Sequence, residues 1–594
     1  MDRKSLLFVV LMTTTFFALN HFLFPPRELR QQPIQEMAPI QAVSTVPESS
    51  KEKFYVIEND YQQLVISSLN GAVAEINLPL QTPSSPSVIK KINIDDILEK
   101  DYPQLDHFPA SSYTSYQGSF PQGKVGGYYP LLRRNLSPYY YALSTATSDP
   151  ETALTQYRVK KLEKNCIELE GITGGITLTK TYTLPLEASK TPYSFELKVK
   201  AHQDPSALHI TTGIPEVEII SGNASPSLKY LYKNLRQREI VQLISLPKKS
   251  LVTIERHPEW VSNSNGFFAL LLNPEKGIET SIQAEQIAGE KAPSRLSSID
   301  AEHDRYPVNQ FPGYNIHVPL NKNTKEYTFR VFAGPLDSTI LKQNDAVFHA
   351  NFSGMQSLHG WFAFISEPFA QFLFLLMKLF HATIHSWGFS IILLTIALRL
   401  MMYPLNAWSI KSTLKMQKLS PKLAALQERH KKDPKRAQIE IMNLYKEHGV
   451  NPLGGCLPLL IQMPFLMGMF DLLKSTFELR GVSFIPGWIP NLTSPDVVFS
   501  WGTPLWMLGN SFHLLPVLLG VVMFFQQRMS TPQTAYGKEP SEQQKQQKMM
   551  GNIMVVVFTV LFYKFPSGLN IYWLSSMLLA ILQQWWTKHK GIRV

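Results

Sequence analysis

The chain has 594 residues, a formal net charge of +11 and only 2 cysteines, so neither one compact domain nor a disulfide scaffold accounts for it. Its hydropathy is uneven: residues 54–345 are polar and strand-like, while residues 361–586 hold most of the long apolar runs, the pattern of a membrane protein carrying a soluble domain. Ten Lys/Arg against four Asp/Glu fall between Ser409 and Gly449, which places much of the positive charge in a cytoplasmic loop and argues against a specific nucleic-acid site.

In chain order, "MDRK" is followed by an apolar run of about 20 residues, enough to cross a ~30 Å hydrocarbon core. No small-x-small cleavage site follows it, so residues 1–24 read as an uncleaved anchor with the N-terminus inside. Residues 25–53, rich in Pro and Gln, read as a flexible linker. From Phe54 the pattern turns to short alternating segments, among them "QLVISSLNGAVAEINLPL" with an Asn-Gly turn and "GGITLTKTYTL". This predicts a large all-β sandwich over 54–350, outside the cytoplasmic membrane because it follows an outward-going anchor. It contains no G-x-S-x-G, no H-E-x-x-H and no Cys/His cluster with ligand spacing, and His202, His209 and His257 read as solvated or packed imidazoles. No enzyme, cofactor or metal site is expected. "LGGC" at 453–456 mimics a lipoprotein box but lies too deep in the chain to be one.

Residues 360–386 place Gln371, Lys378, His381 and His385 on one helical stripe, which predicts an amphipathic helix in the membrane interface. Further spans are predicted at 387–408, 456–474, 512–528, 551–563 and 567–586. Between them lie a basic cytoplasmic helical hairpin at 409–450, a Trp- and Pro-rich outer loop at 475–511 and a cytoplasmic loop at 529–550, with a short cytoplasmic tail at 587–594. With the anchor this makes a multi-pass α-helical membrane protein of six spans, both termini cytoplasmic.

Arg399 lies inside "WGFSIILLTIALRLMMYP", about 18 Å down a helix that enters from the outside. The acidic side chain in the span cores, Asp471, lies near the opposite end of its own span beside Lys474. Snorkelling to the cytoplasmic interface is one account of Arg399; a water-filled cavity or an acidic ligand is another. Thr395 one turn earlier, Gln462 at depth, and Pro458 and Pro464, which free backbone carbonyls, favour a polar groove.

The stretches "WGFSIILLTIALRLMMYPL", "NPLGGCLPLLIQMPF", "LPVLLGVVMFFQQRM" and "FPSGLNIYW", in that order, closely resemble the YidC-type membrane protein insertases. The resemblance covers nearly all of residues 360–586 and implies a five-span insertase core, with 54–350 as the periplasmic domain of the Gram-negative type and the whole in the inner membrane. It implies a substrate groove built from Arg399, Thr395, Gln462, Met463 and Pro464, and a surface at Tyr572 and Trp573 along which substrate helices slide; the family often has two tyrosines there, and this chain has Trp573 as the second. The partners it implies are nascent membrane proteins, the Sec translocon, the lipid bilayer, and the ribosome at the basic hairpin. The short tail "KHKGIRV" leaves little for tail-mediated ribosome anchoring. A competing class is a solute transporter or channel using the intramembrane arginine, against which stands the absence of an internal repeat. A passive chaperone beside the translocon is a third.

Overall fold

The computed structural model describes residues 52–357, 363–404, 433–449, 457–530 and 542–589, with breaks inside the first and fourth of these stretches, the longest over 98–126, where only 114–115 are described, and isolated residues between 415 and 430. The anchor at 1–24, nearly all of the linker, most of the first hairpin helix and the last five residues of the tail lie outside the described residues.

Alternation shapes the β domain. Along Ile176–Thr183 every second side chain is buried, namely Ile176, Leu178, Lys180 and Tyr182, because successive strand residues point to opposite faces. Among the described residues nine antiparallel strands make the large sheet, in the order Glu239–Ile244, Ser227–Lys233, Trp260–Ser264, Phe268–Pro274, Glu326–Pro335, Ser194–Ala201, Ile176–Thr183, Cys166–Thr173 and Arg158–Leu162. A five-stranded sheet runs Val252–Ile254, Ile282–Ile287, Gly313–Pro319, Leu208–Thr211 and Thr145–Thr147, and another five-stranded sheet holds Phe54–Glu58, Gln63–Ser67 and Val73–Pro79. One apolar core joins all three through Leu178 and Val199, Ile210 and Ile316, and Leu64 and Ile76. The expected Asn-Gly turn is present: Asn70 and Gly71 take φ of 55° and 50°, the left-handed pair a tight hairpin needs, and they set Ile66 opposite Val73.

Helix α1 (Ser338–Phe348) closes the β domain, capped by Asp337, whose carboxylate accepts from the Thr339 and Ile340 amides. Beyond it come α2 (Ala363–Ile384), α3 (Trp387–Met401), α4 (Pro434–Glu447), α5 (Leu457–Ser475), α6 (Leu514–Ser530), α7 (Glu542–Phe562) and α8 (Ser567–His589). Helix α2 packs on α3 and α5, α8 on α3, α5 and α6, and α7 on α6. Their shared core contains Leu373, Leu394, Met469, Leu519, Phe562 and Trp573, while Leu375, Phe389, Val521, Val557 and Leu582 face outward, giving the bundle an apolar exterior.

Among the described residues no helix is long and apolar enough to cross a membrane. Helices α3 and α6 have 15 and 17 residues, short of the roughly 20 a straight span uses. Helix α7 begins at Glu542, inside the stretch expected as loop, because Glu, Gln and Lys are good helix formers even without an apolar face. The loop after α5 also carries a β-hairpin, Phe499–Leu505 with Gly509–Phe512.

A short 3-10 turn, Phe477–Leu479, stitches the β domain to the bundle. Phe477 belongs to the β-domain core and meets the Phe268 ring edge-on at 5.4 Å, whereas Leu479 belongs to the bundle core. Between them Glu478 accepts from Ser338 of α1 at 2.7 Å and pairs with Lys378 of α2 at 3.4 Å. Arg480 then reaches back to Glu218 in the β domain.

Candidate functional site

Helix α3 turns Ile391, Leu394, Thr395 and Leu398 into the bundle, and Arg399 follows at the edge of that face, half-buried. A guanidinium cannot shed its charge at any ordinary pH, so its position there must be met by acceptors. Its Nε and Nη2 both donate to the Ser576 hydroxyl on α8, at 3.1 and 2.8 Å. Tyr572, one turn earlier on α8, lies within electrostatic reach of the same guanidinium. Among the described residues no carboxylate pairs with Arg399; its hydrogen bonds go to a neutral oxygen. Asp471 is engaged elsewhere, with Ser366 of α2 and Lys474 as its neighbours.

The other expected groove residues divide. Thr395 is 1% exposed, and its hydroxyl donates to the Ile391 carbonyl at 2.8 Å, so it is folded back onto its own helix. Gln462 and Met463 lie on α5, but their side chains are outside the described residues. Pro464 is inside α5 and half-buried, and its missing N–H leaves a carbonyl one turn earlier without its helical donor. Tyr572 and Trp573, both 3% exposed, are core residues rather than exterior ones, and Trp573 packs on the rings of Phe562 and Phe558 at 5.0 and 6.2 Å.

Ser576 escaped the sequence reading. The signal that could have found it is its place one turn after Tyr572, in "YWLSSML", where a hydroxyl interrupts an otherwise apolar helix.

An apolar-surfaced helical bundle, stitched to a β sandwich and holding a half-buried cation that pairs with no carboxylate among the described residues, has the features of a membrane protein with a polar group set in an apolar environment. The family described as "60Kd inner membrane protein" matches residues 379–593. The membrane protein insertase YidC of Chlamydia caviae is 44% identical over 559 residues, covering 91% of this chain and 69% of that one. That of Chlamydia trachomatis serovar D is 46% identical over 555 residues, covering 90% and 69%. A crystal structure of an active YidC insertase aligns over 90% of this chain and 94% of its own at 17% identity, with a TM-score of 0.34. The chain belongs to the YidC family of membrane protein insertases.

Proposed function

We propose that this chain inserts integral membrane proteins into the inner membrane and helps them fold, alone or with the Sec translocon, through a hydrophilic groove bearing Arg399. The observation that carries this reading is the pairing of Arg399 with Ser576, a neutral partner, with no carboxylate among the described residues compensating the guanidinium charge. A client carboxylate offers what the serine cannot, a charge-assisted hydrogen bond. The barrier to moving an acidic client tail across the bilayer is desolvation, and a transient ion pair partway lowers it. The membrane potential then favours outward movement of negative charge by about 2.3 kcal/mol per charge per 100 mV.

In this reading the six spans, including the anchor at 1–24, put both termini in the cytoplasm and the β domain in the periplasm. Thr395, Gln462, Met463 and Pro464 line the groove with Arg399. Tyr572 and Trp573 meet the client helix once α7, whose Phe558 and Phe562 cover Trp573, gives way. The basic hairpin at 409–450 faces ribosomes delivering clients.

The test is insertion of a small single-span client with an acidic translocated tail, in cells depleted of their own insertase. Wild type and Arg399→Lys are expected to insert it and Arg399→Ala to fail. Full insertion by Arg399→Ala would sink the groove-charge reading. Repeating the assay after translocon depletion separates independent from Sec-assisted work.

A further inference from the structure

The loop between α5 and α6 has a surface that water alone does not explain. From Gly481 to Gln527 the ionisable side chains are Asp496 and His513, and both are turned inward, at 0% and 7% exposed. Asp496 accepts from the Trp488 indole at 2.9 Å and from the Leu514 and Leu515 amides at 2.8 and 3.0 Å; His513 bonds through Nδ1 to the Asp496 carbonyl. No charge is left on the outside of this stretch, while Val498, Phe499, Leu505 and Leu508 are 45%, 55%, 51% and 38% exposed.

The hairpin formed by Phe499–Leu505 and Gly509–Phe512 is two-faced. Phe499 stacks on its cross-strand partner Phe512 at 5.1 Å and touches Trp501 at 5.9 Å, so three aromatic rings share one face. The Trp501 indole N–H is already used, donating to the Gly509 carbonyl, which leaves its ring to act as an apolar surface. On the opposite face Ser500 and Ser511 bring their hydroxyls to 3.1 Å.

The base of the hairpin is fixed on the helix ends. Val498 donates to the Phe512 carbonyl at 3.1 Å, and the Tyr563 hydroxyl, just past α7, donates to the Ser511 carbonyl at 3.0 Å. Leu518 and Val521, exposed on α6, follow Phe512 by six and nine positions, so the aromatic face begins roughly 9 Å beyond the first of these outward-facing side chains. Nearby, Phe389 of α3 is 53% exposed and meets Phe484 of the same loop edge-on at 5.3 Å. Along the chain, then, no exposed charge separates the outward-facing side chains of α6 from the aromatic face of the hairpin; the exposed charge at its base is Lys564, next to Tyr563.

We propose that this hairpin is an interfacial finger: its face of Phe499, Trp501 and Phe512 rests in the boundary between headgroups and acyl chains of the leaflet on the β-domain side, with its serine face toward water. Trp and Phe side chains make up the buried face of elements lying at that depth, and a surface without charges pays no cost of desolvating ions there. A protein partner is the weaker occupant, because a docking rim is polar and carries charge, and this one has none exposed. The proposal depends on membrane residence and not on the Arg399 groove, so the insertion assay does not decide it.

The experiment uses the full chain in phosphatidylethanolamine/phosphatidylglycerol vesicles, on a Cys166→Ser, Cys456→Ser background. Nitroxide labels are placed singly at Phe499→Cys, Leu505→Cys, Leu508→Cys and Ser500→Cys, with Leu518→Cys on α6 as the bilayer reference and Leu235→Cys, fully exposed in the β domain, as the water reference. Collision with oxygen and with a water-soluble nickel chelate is measured. The labels at 499, 505 and 508 are expected to lose chelate accessibility and gain oxygen accessibility relative to 235, with the label at 500 staying open to the chelate. Chelate access at 499, 505 and 508 equal to that at 235 would put the finger in water and overturn the proposal. Protection from both reagents would mean a protein covers it, a second copy or the β domain, and would overturn it equally.

Discussion

Arg480 grips Glu218 with two parallel hydrogen bonds, Nε to Oε2 at 3.0 Å and Nη2 to Oε1 at 2.9 Å, across 262 positions of chain and with the two side chains 1% and 3% exposed. The guanidinium also donates to the Lys90 carbonyl at 2.9 Å and lies against the rings of Tyr129 and Phe268, centroids 5.1 and 5.0 Å away. A pair this dry is not stabilising by itself, since desolving two ions offsets their attraction; what it does is make the alternatives costly. With Phe477 and Leu479 seated in different cores just before it, the pair fixes the orientation of the β domain on the end of α5.

Removing one partner should therefore be worse than removing both. Arg480→Ala strands a buried carboxylate and is expected to destabilise the full chain by about 3–5 kcal/mol. Glu218→Leu combined with Arg480→Met is expected to recover most of that loss. Thermal unfolding of the purified protein in detergent reads both; equal stability of Arg480→Ala and the double variant would refute the assignment.

What could be seen in the sequence and what could not divide along chain distance. The inward positions of "ITLTKTY", the Asn70–Gly71 turn and the apolar stretches of the bundle are local patterns with fixed periods, and they are found where the alternation and the 3.6-residue repeat put them. Ser576 against Arg399 and Glu218 against Arg480 are pairings between distant segments, which no periodicity encodes. Thr395 is an instructive intermediate: its helix face was legible, but the bond of its hydroxyl to the Ile391 carbonyl needed the fold. The inward placement of Lys180 was legible in the same sense, while its consequence needed the fold.

Lys180 sits fully buried with its ammonium donating to the carbonyls of Asn70 and Leu143 at 2.8 Å each and of Gly71 at 3.3 Å. Burial pushes its pKa down to about 7, against 10.5 for an ordinary lysine. Between those values the unfolded chain holds a proton that the folded chain has released, so folding stability rises with pH across roughly 7 to 10.5, with a limiting slope of about 1.4 kcal/mol per pH unit for one group. Lys180→Met is expected to remove that slope and to cost about 1–3 kcal/mol for each carbonyl left dry. Denaturant titrations of both proteins at several pH values check it; an unchanged slope in the variant would assign the pH dependence elsewhere.

Asp496 caps α6 from within a loop that exposes no charge between Gly481 and His513, satisfying two of the first free amides of that helix. Asp496→Ala is expected to cost about 1–2 kcal/mol as a lost cap. The sharper readout is local: amide hydrogen exchange at Leu514 and Leu515 should accelerate, while the β-domain strands keep their protection. Acceleration throughout the chain would mean that the substitution lowers the stability of the whole fold rather than uncapping one helix.

Ser576 allows the role of Arg399 to be tested without touching the arginine. If the serine only occupies the guanidinium until a client carboxylate arrives, Ser576→Ala leaves the charge and its reach intact, and insertion of an acidic-tailed client should stay close to wild type. Ser576→Asp places a permanent carboxylate where the hydroxyl now accepts two donors, at 3.1 and 2.8 Å. That internal ion pair competes directly with the client, because a charge-assisted bidentate contact is roughly twice as strong as one to a neutral acceptor. Insertion of the acidic-tailed client is then expected to fall toward that of Arg399→Ala, while protein level and membrane location hold. A client whose translocated tail has no acidic residues should be spared in Ser576→Asp. If Ser576→Asp inserts both clients normally, Arg399 does not work by pairing with client charge, and the α3–α8 contact is a structural clasp between helices.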